Sequence, residues 1–152
     1  MKEPNIFGEY KKYVGEGLAS SRNNIQLSII GKIIDNQWEN IKNQYDNIEL
    51  DQYIIMPNHL HGILIINKRE ELREDARPSP TISDIICSFK SKCTVEYVKY
   101  IKQNNLNISG QIWQRSFYDH VIRNERSLNA IREYISNNPV NWEQDIDNLI
   151  NL

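Results

Sequence analysis

The fold is decided by residues 53–66, Tyr-Ile-Ile-Met-Pro-Asn-His-Leu-His-Gly-Ile-Leu-Ile-Ile. The apolar runs around Pro57-Asn58 predict two β-strands joined by a tight turn, because β-branched residues favour strands and proline and asparagine favour turns. His59 and His61 lie one residue apart, and alternate side chains of a strand point to the same face. Both imidazoles can therefore reach one metal ion, although a hairpin whose polar face simply carries two histidines gives the same pattern.

A second group of candidate functional residues lies in a predicted helix farther along the chain. The apolar residues of 124–138 are spaced for one buried face, and Pro139 is placed to end the helix. Tyr134 and Asn138 are one helical turn apart, so they are surface neighbours with Cβ atoms about 5–6 Å apart. A phenol and an amide oxygen can thus face the same ion or substrate.

Three blocks of sequence carry a family resemblance. They are the stretch 53–66 quoted above, Ile-Trp-Gln-Arg-Ser-Phe-Tyr-Asp-His-Val-Ile-Arg-Asn at 112–124, and Tyr-Ile-Ser-Asn-Asn-Pro-Val at 134–140. In order and spacing these blocks resemble the single-tyrosine HUH transposases, the IS200-like transposases, and within them the REP-associated tyrosine transposases. Together they span most of residues 48–142.

The resemblance implies cleavage and rejoining of single-stranded DNA near hairpin-forming repeats, through a 5′-phosphotyrosine intermediate. By position in the motifs, Tyr134 is the expected nucleophile, and His59, His61 and Asn138 are expected to hold Mg²⁺ or Mn²⁺. Such an ion can polarise a phosphate oxygen and orient the phosphorus, whereas a phenol with a pKa of about 10 is by itself a poor nucleophile at neutral pH. Histidine ligands also suit zinc, so the identity of the ion stays open.

Other roles for these residues also stay open. Tyr134 can instead pack in the core beside its apolar helix neighbours. Tyr118 is a rival nucleophile, but it has no amide or carboxylate one helical turn on, and His120 is interpreted as a structural or DNA-contacting residue. The alternative functions are a noncatalytic protein that binds hairpin DNA and a metal-dependent hydrolase that uses water as its nucleophile.

Basic and aromatic side chains supply candidate DNA contacts. The residues expected to contact the phosphate backbone, unless they form an ordinary solvated surface, are Arg115, Arg123, Lys90 and Lys92. The aromatic residues that can stack on unpaired bases, or belong to the core, are Trp113, Phe117 and Tyr118. A formal net charge of −2 disfavours nonspecific duplex binding, but residues 82–134 carry more basic than acidic side chains.

Composition predicts a single domain over residues 1–152, since 39% hydrophobic and 25% charged residues are ordinary for a soluble protein. No apolar stretch approaches the ~18 residues of a membrane span, and the polar start lacks a signal pattern, so a cytoplasmic protein is expected. Cys87 and Cys93 match neither a redox pair nor a zinc-knuckle spacing, and are expected to be reduced thiols. The expected partner is single-stranded or hairpin DNA, bound by a monomer or a homodimer.

The order of elements predicts an α+β fold. The predicted elements are a helix at 28–45, the two strands, a loop at 69–80, a helix at 82–103, a turn at 104–110, a strand at 111–116 and the tyrosine helix. This order fits a ferredoxin-like sandwich, an antiparallel sheet with helices on one face, with an added catalytic helix.

The start of the chain departs from the family pattern. Relatives usually begin with a central apolar strand before a segment that resembles Phe7-Gly-Glu-Tyr10, whereas this chain starts at Met1-Lys-Glu-Pro-Asn-Ile. The first strand is therefore expected to be missing, and a shortened copy is expected to be less stable than a complete relative. Residues 26–30 offer a replacement strand, in competition with the first helix.

Overall fold

The computed structural model of the protein describes residues 7–10, 25–67 and 80–142. Its elements are β1 (Gly8–Tyr10), β2 (Ile25–Leu27), α1 (Ile29–Glu39), α2 (Ile41–Gln44), β3 (Ile48–Ile55), β4 (Leu60–Ile66), α3 (Ile82–Gln103) and α4 (Glu125–Asn137). Within these ranges the strands form two two-stranded sheets, β1 with β2 and β3 with β4. The protein is therefore α+β, in agreement with the predicted ferredoxin-like class.

The β3–β4 hairpin forms where the sequence predicts it. At its turn, the backbone N–H of Met56 donates to the carbonyl of His59 at 2.8 Å, across the Pro57-Asn58 pair. At its open end, the N–H of Asn67 donates to the carbonyl of Asn47, also at 2.8 Å. The strands are consequently antiparallel. His59 ends the turn, and His61 is the second residue of β4.

The short β1–β2 ladder supports the hairpin turn. It is antiparallel, with Gly8 opposite Leu27. Just before it, the N–H of Phe7 donates to the carbonyl of Pro57 at 2.8 Å, and the carbonyl of Phe7 accepts from the N–H of Ser28 at 2.9 Å. Buried Phe7 therefore ties the turn that precedes the histidines to the start of α1.

The replacement strand predicted at 26–30 is confirmed only in its first two residues. β2 ends at Leu27, and Ile29 already belongs to α1. The reason is a cap: the hydroxyl of Ser28 accepts from the N–H of Gly31 at 3.1 Å, which starts the helix at once. The apolar first strand of relatives would precede Phe7, and those residues lie outside the described chain.

The helix predicted at 28–45 is present but interrupted. α1 and α2 are separated by Asn40, whose side-chain oxygen accepts from the side-chain amide of Asn43 at 3.0 Å. At the break the backbone tightens to a three-residue turn, in which the N–H of Asn43 donates to the carbonyl of Asn40 at 3.1 Å. Ile41 remains buried, so the apolar face continues across the interruption.

Helix α3 has the predicted bounds. Thr81 and Asp84 form a capping box, in which the Thr81 N–H donates to the Asp84 carboxylate at 2.9 Å and the Asp84 N–H donates to the Thr81 hydroxyl at 3.2 Å. The hydrogen bonds that the hydroxyl and the backbone N–H of Thr81 donate to the Asp84 carboxylate lower the pKa of Asp84. The residues that α3 buries, four apart along one face, are Ile85, Phe89, Cys93 and Tyr97. None of the helices described here is both long and apolar enough to cross a membrane.

The strand predicted at 111–116 is wrong, because this stretch is irregular chain. Side chains anchor its first part: Ile112 is buried, and the indole N–H of Trp113 donates to the carbonyl of Lys90 at 3.0 Å. The hydrogen bond from the indole to the helix carbonyl holds this stretch in place. The stretch therefore does not need the backbone hydrogen bonds to a neighbouring strand that a β-strand requires. The loop predicted at 69–80 lies, up to residue 79, outside the described chain.

The chain falls into two compact units that alternate along the sequence. The described parts of the first unit are 7–10, 25–32, 52–62 and 114–142. Those of the second are 33–51, 63–67 and 80–113. In the second unit, the ring of Phe89 contacts those of Trp38 and Trp113, with centroids 5.3 and 5.5 Å away. The single domain over residues 1–152 stays a prediction.

Candidate active site and metal centre

His59 and His61 face one another in the first unit. Their Nε2 atoms are 3.0 Å apart, and their rings meet edge to face with centroids 4.6 Å apart. The other nitrogen of His59, Nδ1, lies 2.7 Å from the side-chain oxygen of Asn58. An amide oxygen only accepts, so Nδ1 carries the proton and Nε2 keeps its lone pair. This is the tautomer that a metal-binding histidine needs.

The spacing of the two nitrogens fits one divalent ion. Two imidazole nitrogens 3.0 Å apart are close enough to bind one divalent ion together. The same 3.0 Å also suits a hydrogen bond when one nitrogen is protonated.

Asn138 supplies a third candidate ligand. Its side chain is 3% exposed, and its Oδ1 is a buried oxygen without a hydrogen-bond partner among the described residues. Leaving a buried polar atom unsatisfied costs about 1–3 kcal/mol, a cost that a bound cation would remove. Among the described residues, no three His, Cys, Asp or Glu side chains lie together as a metal site. The candidate donor set therefore consists of two imidazoles and one amide.

Helix α4 and the turn after it bring two aromatic rings to the histidines. The ring of Tyr134 lies edge-on to that of His61, with centroids 5.3 Å apart, and the ring of Trp142 lies 6.0 Å from that of His59. Asn138 directly follows the last residue of α4, four residues after Tyr134. The structure thus places Tyr134 against His61 and His61 against His59, and puts Asn138 at the end of the tyrosine helix.

Tyr134 remains accessible on this face. It is 55% exposed, although its neighbour Ile135 is buried. An exposed phenol does not fit the alternative of a core tyrosine. The helix that carries it begins as predicted at Asn124, whose side chain accepts from the N–H of Ser127 at 2.8 Å.

Three residues that contact this site were missed by the sequence reasoning. Trp142 lies beyond Pro139, which was predicted to end the helix, so no helical spacing pointed to it. Gln52 and Ser136 form a side-chain hydrogen bond between β3 and α4. No local pattern pairs two residues so distant in sequence.

The predicted DNA contacts divide between the two units. Arg115 and Arg123 are exposed in the unit that holds the site, while Lys90 and Lys92 belong to the other unit. Lys92 is exposed, but the ammonium of Lys90 lies 5.7 Å from the centre of the Trp113 ring, and burial lowers the pKa of Lys90. The ammonium of Lys90 thus already contacts the Trp113 ring within its own unit.

The other reactive side chains considered from the sequence lie in α3 and in the irregular chain before α4. Cys87 is an exposed thiol and Cys93 a buried one, neither of them in a disulfide. Burial raises the pKa of Cys93 to about 12. Tyr118 and His120 lie exposed in irregular chain, with Tyr118 91% exposed.

Comparison with known proteins defines the class to which this site belongs. The family model described as "Transposase IS200 like" matches residues 19–138. A protein of Haemophilus influenzae, named only "Uncharacterized protein", is 38% identical over 133 residues, which cover 80% of this chain and 71% of that protein. No solved structure matches. These matches define a transposase, a class of protein that acts on DNA. The chain belongs to the IS200-like transposase family, as its three sequence blocks predict.

Proposed function

We propose that this protein is a single-tyrosine transposase that cleaves and rejoins single-stranded DNA near hairpin-forming repeats, as REP-associated relatives do. One observation carries the proposal: the ring of an accessible phenol lies 5.3 Å, between centroids, from one of two imidazoles whose nitrogens are 3.0 Å apart, and a buried amide oxygen without a partner among the described residues belongs to the residue four positions after that phenol. These groups are a nucleophile and a set of metal ligands, the two requirements of covalent phosphoryl transfer assisted by a metal.

In the proposed cleavage, the phenolic oxygen of Tyr134 attacks the scissile phosphorus and the bond from phosphorus to the 3′-oxygen breaks. The phenol loses its proton to solvent, and the departing 3′-oxygen takes up a proton to become a hydroxyl. The strand downstream of the cut stays bonded to Tyr134 through its 5′-phosphate, as a phosphodiester. Attack by another 3′-hydroxyl reverses these steps, so rejoining needs no nucleotide cofactor.

His59, His61 and Asn138 are the residues that would hold Mg²⁺ or Mn²⁺. The ion would supply positive charge at the scissile phosphate. The protein's own contribution is placement. Asn58 holds His59 in the ligand tautomer, and the contact between the rings of Tyr134 and His61 keeps the phenol beside the ligand set.

DNA binding is proposed for the exposed residues of the irregular chain before α4. Arg115 and Arg123 are placed for phosphates, and the highly exposed Tyr118 ring offers a stacking surface for an unpaired base. Lys92, and in part Lys90, are proposed to add phosphate contacts from the second unit. The substrate is cellular DNA, so we propose that the reaction takes place in the cytoplasm, with a monomer or homodimer as the active form.

The test is a denaturing-gel assay with a labelled single-stranded oligonucleotide that carries a hairpin from the flanking DNA, in Mg²⁺ or Mn²⁺. The wild type should form a covalent adduct that chelator abolishes and Tyr134→Phe lacks. Tyr118→Phe is the matched control and should keep the adduct. Cleavage that survives in Tyr134→Phe would instead favour water as the nucleophile, and binding without any adduct would favour a noncatalytic hairpin-binding protein.

A further inference from the structure

A side-chain hydrogen bond joins the histidine hairpin to the tyrosine helix. The amide Nε2 of Gln52 in β3 donates to the hydroxyl oxygen of Ser136 in α4. Both side chains are half-buried, and both lie in the unit that contains the site. Ser136 lies two residues along the chain from both Tyr134 and Asn138, so the bond holds α4 close to the proposed nucleophile and the third candidate ligand.

This bond supplies a constraint that the ring contacts of the site lack. The rings of Tyr134 and Trp142 rest on the histidine rings at centroid distances of 5.3 and 6.0 Å, and such contacts tolerate sliding and tilting. A hydrogen bond weakens steeply when its angle departs from linearity. A shift of α4 by one residue would also rotate its side chains by about 100° and move them about 1.5 Å along the axis. The bond to Gln52 therefore fixes both the rotation and the axial position of α4.

We propose that Gln52 and Ser136 are positioning residues, which set the register of α4 on the hairpin and so place Tyr134 and Asn138 against the histidines. The expected effect on the reaction rate rests on the proposed function, whereas the expected placement of α4 does not. Neither residue is assigned to bind metal or DNA. Loss of the pair should let α4 drift, and a misplacement of about 1 Å in a reacting group can cost about 100-fold in rate.

Three variants test the pair by kinetics. Gln52→Leu removes the donor while keeping the bulk of the side chain, and Ser136→Ala removes the acceptor. In Gln52→Glu the bond can re-form in reverse, because the serine hydroxyl can donate to a carboxylate. We expect adduct formation at saturating DNA and metal to slow about tenfold in the first two variants, to slow no further when they are combined, and to recover in Gln52→Glu. Rates are measured well below each variant's melting temperature, because a merely stabilising bond would lower that temperature and leave the rate of the folded protein unchanged.

A second readout does not depend on catalysis. The rings of Tyr134 and Trp142 should shift the ring-proton resonances of His59 and His61 in NMR spectra, and a displaced α4 should move those resonances. We expect changes in Gln52→Leu and Ser136→Ala that largely revert in Gln52→Glu, while the exposed His120 serves as an internal control. If the protein forms no adduct at all, the proposed function fails and the NMR result alone decides the positioning role. Unchanged histidine resonances in both disrupting variants would overturn it.

Discussion

Asn138→Leu should raise the free energy of unfolding of the metal-free protein and reduce the stabilisation that the protein gains from bound metal. Asn138 is 3% exposed, and its Oδ1 has no hydrogen-bond partner among the described residues. Replacing the amide with an apolar side chain of similar size removes the cost of that buried oxygen, which is about 1–3 kcal/mol. We therefore expect the free energy of unfolding in EDTA to rise by about that amount.

Added metal should reduce the difference in free energy of unfolding between the two proteins. A ligand that binds only the folded state stabilises it by about 2.7 kcal/mol when present at about 100 times its Kd. The wild type should gain this increment in Mn²⁺, and the leucine variant should gain much less, because it retains only the two histidines. Urea unfolding of both proteins, with EDTA and with Mn²⁺, measures all four free energies.

Asn47→Leu is the matched control. Asn47 is also buried, 7% exposed, with an unsatisfied Oδ1, but it lies in the second unit and donates to the carbonyl of Asn67 at 3.2 Å. Its response to Mn²⁺ should equal that of the wild type. The reasoning about Asn138 is refuted if Asn138→Leu is destabilised in EDTA by about 1 kcal/mol or more, or if its gain in Mn²⁺ is as large as that of the wild type.

Three further outcomes are expected. Asn58→Ala should weaken Mn²⁺ binding about 10- to 100-fold in a titration, because the adjacent histidine loses its orienting partner; unchanged affinity would contradict this. Thiol reagents at pH 8 should label Cys87 and spare Cys93. Labelling of both thiols in the folded protein would refute the burial of Cys93. Burial raises the pKa of Cys93 to about 12, so the stability that its neutral thiol contributes is complete below the unfolded-state pKa. That stability should fade between about pH 9 and 12 in unfolding measurements. Gly31→Ala should destabilise the protein by about 1–3 kcal/mol in a thermal melt, since its Cβ would lie 2.0 Å from the Phe7 carbonyl oxygen, and a wild-type melting temperature would contradict that crowding.

The parts of the fold that the sequence predicted are those governed by local pattern. The apolar runs around Pro57-Asn58 predicted the hairpin, and helical spacing with Pro139 at its end predicted α4. The break at Asn40 was not predicted, because neither proline nor glycine marks it in the sequence. The irregular chain at 111–116 was mistaken for a strand because an indole contact with a helix carbonyl, remote in sequence, decides its path.

The candidate site divides in the same way. The histidine pair and the Tyr134–Asn138 pair were each visible as a short spacing within one element. That the two pairs lie together was expected from the family resemblance, since no spacing connects them. The contact between Gln52 and Ser136 exists only in three dimensions, and the burial that leaves Asn138 without a partner depends on packing that no sequence period encodes.

The most direct test of the central claim is to identify the residue that bonds to DNA. After reaction with the hairpin oligonucleotide in Mn²⁺, nuclease and trypsin digestion would leave short nucleotides on tryptic peptides for tandem mass spectrometry. Cleavage after Arg132 separates the peptide 133–152, which contains Tyr134, from the peptide 116–123, which contains Tyr118. The account predicts a 5′-phosphonucleotide on Tyr134. A nucleotide on Tyr118, or cut DNA with no modified peptide, would contradict it.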